Sequence, residues 1–211
     1  MNNWDYKEFY KKYNMTGVIE IGTGKIKVHD IYNELPSFMY EADTIFSDPP
    51  CSLGNINSFY TKADLEKRSE YESFVNRFFK CIALIKPKIV FIEVFKANED
   101  RFIAELQKLF KNLKIYNSTY YHKSDCKCKI LVASNDDIID YPFENVDEQD
   151  VIKYICQNTE YNCIGDLCMG KGLVGFYANQ VGKKFVGTEL NKKRLAVLIE
   201  RINKGSLLNI K

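Results

Sequence analysis

Asp48-Pro49-Pro50-Cys51 follows a short apolar run, Asp43-Thr44-Ile45-Phe46-Ser47. Two successive prolines cannot continue a central ladder, so the chain leaves its sheet there. The carboxylate of Asp48 is left on a stiff corner. It can accept an N–H bond, and the carbonyl of Pro49 can accept a second from the same nitrogen. An exocyclic amine on a nucleic-acid base is a poor nucleophile, because its lone pair is delocalised into the ring. Two fixed acceptors favour the more tetrahedral nitrogen that attack on a methyl group requires, and the prolines set that geometry in advance. The plain alternative is a strand-ending turn with no chemistry.

A second constellation lies far away in sequence. Gly165-Asp166-Leu167-Cys168-Met169-Gly170-Lys171-Gly172 joins an expected strand to an expected helix. Glycines there permit positive φ and let backbone N–H groups approach a ligand. Glu189 ends the next strand, seventeen residues after Gly172, where a carboxylate can accept both hydroxyl protons of a ribose. Together they point to an adenosine-type cofactor. Gly170, Gly172 and Gly175 also satisfy G-x-G-x-x-G, which alone suggests a nicotinamide dinucleotide. A dinucleotide fold needs several strands after this turn, however, and only one remains. The plain alternative is a tight turn and a strand cap.

The elements that position these residues follow from periodicity. Trp4 to Tyr13 reads as a short helical segment and Lys25–Val28 as a half-buried strand ending at Asp30. Residues 51–62, with Gly54, Asn55 and Asn57, read as a loop, and residues 64–85 as a long helix. Lys88–Val94 is a near-continuous apolar run, as in a strand covered on both faces. Asn98 is placed to cap the next helix, whose buried stripe would be Phe102, Ile103, Leu106, Leu109 and Phe110. Strands near 113–121 and 128–134 flank a polar turn at Lys123-Ser124-Asp125, as in a hairpin. Helices are expected over about 147–157, 172–181 and 192–202, with strands ending at Asp166 and Glu189. This alternation predicts an α/β fold with a mostly parallel sheet and one antiparallel hairpin. Asp30, Asp48, Asp166 and Glu189 all fall at carboxyl ends of strands, where such sheets bind ligands.

The 211 residues suffice for one domain, and no Gly/Ser/Pro-rich linker divides them. No run of ~18 apolar residues exists, so no membrane span is expected. The polar N-terminus lacks a signal sequence and the address expected is cytoplasmic. Seven scattered cysteines have no paired zinc-site spacing, so they read as reduced thiols and no metal is expected. A net charge of +2 is low for a duplex-coating protein, though a local basic patch can supply phosphate contacts.

These residues resemble the amino-group DNA methyltransferases, which modify adenine N6 or cytosine N4. The family's catalytic motif, (D/N/S)-P-P-(Y/F/W), is matched by Asp48-Pro49-Pro50 and departs at Cys51. Its cofactor motif, D-x-F-x-G-x-G, is similar to Asp166–Gly172, with Cys168 where phenylalanine is usual. Gly182–Asn191 resembles G-R-x-F-I-G-x-E-x-N, and Glu200-Arg201-Ile202 ends the last helix in the familiar way. The catalytic motif precedes the cofactor motif, as in the permuted, beta-type order. The resemblance implies a Rossmann-like S-adenosylmethionine-dependent methyltransferase fold, with residues 1–145 as the catalytic half and 146–211 as the cofactor-binding half. Asp30, Asp166, Cys168, Gly170, Gly172, Glu189 and Asn191 would hold S-adenosylmethionine. Asp48, Pro49, Pro50 and Cys51 would form the catalytic corner around a base flipped out of DNA, adenine being favoured by the aspartate.

Cys51 replaces the aromatic that stacks on that base, so Phe59 or Tyr60 would have to substitute. With no large insertion for reading DNA, the candidates for that contact are Lys62, Lys67, Arg68 and Lys123. A homodimer or a specificity partner would supply the missing surface. Two alternatives remain open. Pro50-Cys51 also matches the nucleophile of cytosine C5 methyltransferases, whose Glu-Asn-Val strand end is faintly echoed by Ile92-Glu93-Val94. A catalytically silent binding subunit is the other.

Overall fold

The computed structural model describes residues 8–120 and 123–207. Of Tyr120 and residues 123–127 it describes the backbone alone, so Trp4 and the side chain of Lys123 lie outside the described residues.

The apolar runs pair into one sheet. In chain order the strands are β1 (Val18–Ile21), β2 (Gly24–Val28), β3 (Thr44–Ser47), β4 (Ile89–Phe95), β5 (Asn112–Tyr120), β6 (Lys123–Ser134), β7 (Val146–Asp147), β8 (Cys163–Asp166) and β9 (Lys184–Glu189). Their order across the sheet is β1-β2-β9-β8-β3-β4-β6-β5-β7 among the described residues. The central run from β2 to β4 is parallel, and β1 and the β5–β6 hairpin add antiparallel neighbours.

Helices cover both faces. On one lie α1 (Leu53–Lys62), α2 (Tyr71–Ile85) and α3 (Glu99–Leu109), packed on Ile45, Val90, Ile92 and Val94. On the other lie α4 (Glu148–Asn158), α5 (Leu173–Gln180) and α6 (Lys192–Lys204), packed on Phe46 and Phe91. Successive residues of β3 and β4 thus enter opposite cores, which is why these strands read as unbroken apolar runs.

Several local expectations change. Residues 53–62 form a helix and not a loop. Ser52 caps it by accepting the backbone N–H of Asn55, and Ile56 and Tyr60, four apart, bury against the core. That anchoring outweighs the poor helix propensity of Gly54, Asn55 and Asn57. The long helix begins at Tyr71, not 64. Asp64 has φ +60°, and the side chain of Asn57 exchanges hydrogen bonds with the backbone of Arg68, which ties down the intervening segment. Asn98 sits at the start of α3, but its side chain makes no capping bond. Lys123–Asp125 belong to β6 and not to a turn. Strand β1 had no sequence counterpart.

Candidate active site

Strands β3 and β8 are parallel neighbours, paired through Thr44–Ile164 and Ile45–Gly165. Beyond that pairing their chains go separate ways, β3 toward α1 and β8 toward α5. This is the switch point at which open α/β sheets form a crevice. A cavity of about 390 Å³ lies there, lined by Asp48, Pro49, Pro50 and Cys51 from the first turn and Asp166–Lys171 from the second. Glu189 and Leu190 line it from the end of β9, and Phe59, Tyr60, Phe74 and Phe95 give it aromatic surface.

Ser47, fully buried, couples the two turns. Its hydroxyl donates to Oδ1 of Asp166 (3.0 Å) and accepts the backbone N–H of Leu167 (3.0 Å). Oδ1 of Asp166 also accepts the N–H of Cys168 (2.9 Å). Gly170 and Gly172 have φ of +54° and +74°, and a Cβ on Gly172 would meet Leu198 at 2.6 Å. Glu189 closes the glycine turn: Oε2 accepts the N–H of Gly170 (2.7 Å) and Oε1 that of Asn191 (2.9 Å). A carboxylate has about four lone-pair sites, so acceptor capacity remains on both oxygens.

The proline corner is pinned from behind. The hydroxyl of Tyr71 donates to the carbonyl of Pro50 (2.9 Å), and Nδ2 of Asn98 donates to the carbonyl of Cys51 (2.6 Å). The side chain of Asn98 thus braces the corner and does not cap the helix. The thiol of Cys51 donates to Oδ1 of Asn55 (2.6 Å). Burial and the neighbouring Asp48 push its pKa up, so it stays a thiol.

The site is acidic. One oxygen each from Asp48, Glu93 and Glu148 lie within 4.8 Å of one another, a spacing that could hold a cation. Glu93 is 1% exposed; Oε1 accepts from Ser118 (2.9 Å), and Oε2 has no partner among the described residues. Burial raises all three carboxyls: Asp48 to about 6, offset partly by Arg194, Glu93 to about 9, and Glu148 well above the ordinary range. Asp166 rises to about 7, again by burial.

Some expected positions are elsewhere. Asp30 does not line the cavity. Its carboxylate accepts from Tyr60 (2.6 Å), Arg68 (2.7 Å) and the N–H of Tyr32 (3.0 Å). The guanidinium of Arg68 stacks between the rings of Tyr32 and Tyr60, at 4.3 and 4.7 Å. This makes Arg68 a strap holding residues 63–70 rather than a free cation. Gly172 and Asn191 stand behind the lining, Gly172 as N-cap of α5 and Asn191 as the side-chain cap of α6. Lys67 is exposed and Lys62 half-buried, both outside the cavity. Ser47, Tyr71, Glu148 and Arg194 belong to the site or its support and were not expected from the sequence, while Glu93 and Arg201 stood in the Ile92-Glu93-Val94 and Glu200-Arg201-Ile202 segments without a role in cofactor binding or amine transfer. The signal for the first four was position alone: Ser47 precedes the proline motif, and Tyr71, Glu148 and Arg194 lie in the first turns of their helices.

No family model matches the chain, and no curated protein matches it. Solved structures do. The chain is similar to M1.HpyAVI at 13% identity, with a TM-score of 0.58 over 85% of this chain and 99% of that one. It is similar to TTHA0409 of Thermus thermophilus, provisionally assigned as a DNA modification methylase, at 14% identity and a TM-score of 0.57, covering 85% and 94% of the two chains. It is similar to the cytosine-N4-specific PvuII DNA methyltransferase at 12% identity and a TM-score of 0.54, covering 88% and 94%. M1.HpyAVI and TTHA0409 have also been solved with S-adenosylmethionine bound. The expected fold is thus found: the chain has the fold of these methyltransferases.

Proposed function

We propose that the chain is an S-adenosylmethionine-dependent DNA methyltransferase that acts on an exocyclic base amine, adenine N6 in preference to cytosine N4. The observation that carries this reading is the convergence of Asp48-Pro49-Pro50 and the Asp166–Gly172 turn, far apart in sequence, on one cavity. The permuted motif order is part of the same reading. Glu189 accepts the ribose hydroxyls, and the turn cradles the amino-acid arm. S-adenosylmethionine supplies an electrophilic methyl group on a sulfonium.

Asp48 and the carbonyl of Pro49 accept the two N–H bonds of the amine and turn its lone pair toward that methyl group. Holding both reactants in one orientation removes much of the entropic barrier. As the N–C bond forms and the C–S bond breaks, the nitrogen becomes cationic and loses a proton, for which ionised Asp48 is the adjacent acceptor. The base reaches this corner by leaving its helix. Cytosine C5 chemistry is disfavoured, because it needs a thiolate, while Cys51 is held as a thiol beside a carboxylate. Phosphate contacts, a second copy or a specificity partner lie outside the cavity.

The deciding experiment incubates the purified chain with varied DNA and labelled S-adenosylmethionine, then identifies the released nucleosides by mass spectrometry. N6-methyladenine supports the reading in full and N4-methylcytosine in its coarser form. Labelled 5-methylcytosine, or no label in any base, overturns it.

A further inference from the structure

Helix α6 buries an arginine, a residue type that is ordinarily exposed. Arg201 is 8% exposed and lines the cavity. Its Nη1 donates to the carbonyl of Lys171 (2.8 Å), which fixes the guanidinium beside the start of α5. Its Nε has no partner, and no ion pair to it is found among the described residues. A buried guanidinium without an anion is costly, and burial already lowers its pKa.

Its surroundings add to the positive potential. Lys171 lines the same cavity, and burial, followed by the nearby Arg201 and Arg194, lowers its pKa. Leu173 and Val174, at the first turn of α5, complete the lining. The leading N–H groups of a helix lack partners within it, and they carry the positive end of its dipole. Donors from a side chain and a helix terminus thus converge on one wall of a cavity whose other residues include Asp48, Glu148 and Asp166.

We propose that Arg201, with Lys171 and the N-terminus of α5, forms an oxyanion pocket for the α-carboxylate of the cofactor's amino-acid arm. The inference rests on the cofactor assignment above and adds a residue that neither motif contains. An amino-acid arm is a zwitterion, and this cavity is matched to one. Its ammonium finds carboxylates, and its carboxylate finds a buried guanidinium that has no ion pair among the described residues. The fixed guanidinium can bond a carboxylate through two N–H groups, a geometry lysine cannot reproduce.

The test is calorimetry on the full chain with two adenosine thioethers. S-adenosylhomocysteine has the whole arm. S-adenosyl-3-thiopropylamine keeps the ammonium and lacks the carboxylate. The native chain should bind the first tighter by about tenfold or more, as expected for a charge-assisted bidentate pair. Arg201→Met should erase that preference by weakening S-adenosylhomocysteine alone, and Arg201→Lys should restore part of it. Equal affinity of the native chain for both compounds sinks the proposal, and that readout holds even should Arg201→Met fail to fold. Parallel weakening of both compounds in a folded Arg201→Met also sinks it, by making the arginine structural. Binding of neither compound to the native chain overturns the cofactor assignment itself.

Discussion

Replacing Asp48 by asparagine should abolish methyl transfer and make the protein more stable. The carboxyl is pushed from 3.8 to about 6 by burial, against the opposing attraction of Arg194. At about 1.36 kcal/mol for each tenfold change in the ionisation constant, ionised Asp48 costs the folded state about 3 kcal/mol. The sign follows from proton counts. Between about pH 4 and pH 6 the folded chain holds the proton that the unfolded chain has lost, so stability falls as pH rises through that window. Below it both states are protonated and the penalty vanishes. Urea unfolding at pH 7.5 should show Asp48→Asn more stable than the native chain by about 3 kcal/mol, with the gap closing toward pH 4. Relief of Glu93, whose pKa is raised in part by Asp48, acts in the same direction. In activity assays, kcat/KM of the native chain should fall below about pH 6, because it reports ionisation in the free enzyme. An Asp48→Asn protein that is equally or less stable at pH 7.5 would refute the claim that the corner stores unfavourable charge for catalysis.

Glu189→Ala removes the acceptor of the Gly170 and Asn191 N–H groups; calorimetry with S-adenosylhomocysteine should show affinity lower by at least about tenfold, as for loss of a charged hydrogen-bond acceptor. Cys51→Ser should keep most of the activity, and the native chain should form no covalent adduct with a 5-fluorocytosine oligonucleotide; an adduct visible on a denaturing gel would reverse the assignment. Gly172→Ala forces a Cβ into a left-handed residue and against Leu198; thermal or urea melts should show a loss of about 2 kcal/mol or more.

What the sequence made legible was whatever local patterns encode. The continuous apolar run of β4 announced a strand buried on both faces, and Asp166–Gly172 announced a tight glycine turn at a strand end, because only glycine reaches φ of +54° and +74° at little cost. The misread segments are those whose structure depends on distant partners. Residues 53–62 carry helix-breaking types, yet Ile56 and Tyr60 bury against elements outside the segment. Asn98 has the right type and place for a helix cap, and a carbonyl 47 residues away claims it instead. Asp30 sits at a strand end beside the cavity, but Tyr60 and Arg68 take its carboxylate. Glu93, Glu148 and Arg201 share no motif, and only the sheet order and helix packing bring them to one place.

On the proposed function, the departure at Cys51 leaves a flipped base without its usual aromatic partner, and we propose that the helix that sequence periodicity missed supplies one. With α1 formed, Phe59 stands two turns beyond the proline corner, lines the cavity half-buried, and has the guanidinium of Arg194 at 4.8 Å from its ring. A ring on a helix is held more rigidly than one on a loop, so it can serve as a stacking platform for a flipped base at small entropic cost. Stacking of this kind is worth ~1–3 kcal/mol per base. Phe59→Ala should therefore lower kcat/KM for DNA by about 5- to 150-fold while S-adenosylhomocysteine affinity stays within about twofold. Should the affinity for S-adenosylhomocysteine fall in step with kcat/KM, Phe59 stacks on the cofactor's adenine instead, and the base must find its platform among Tyr60, Phe74 and Phe95.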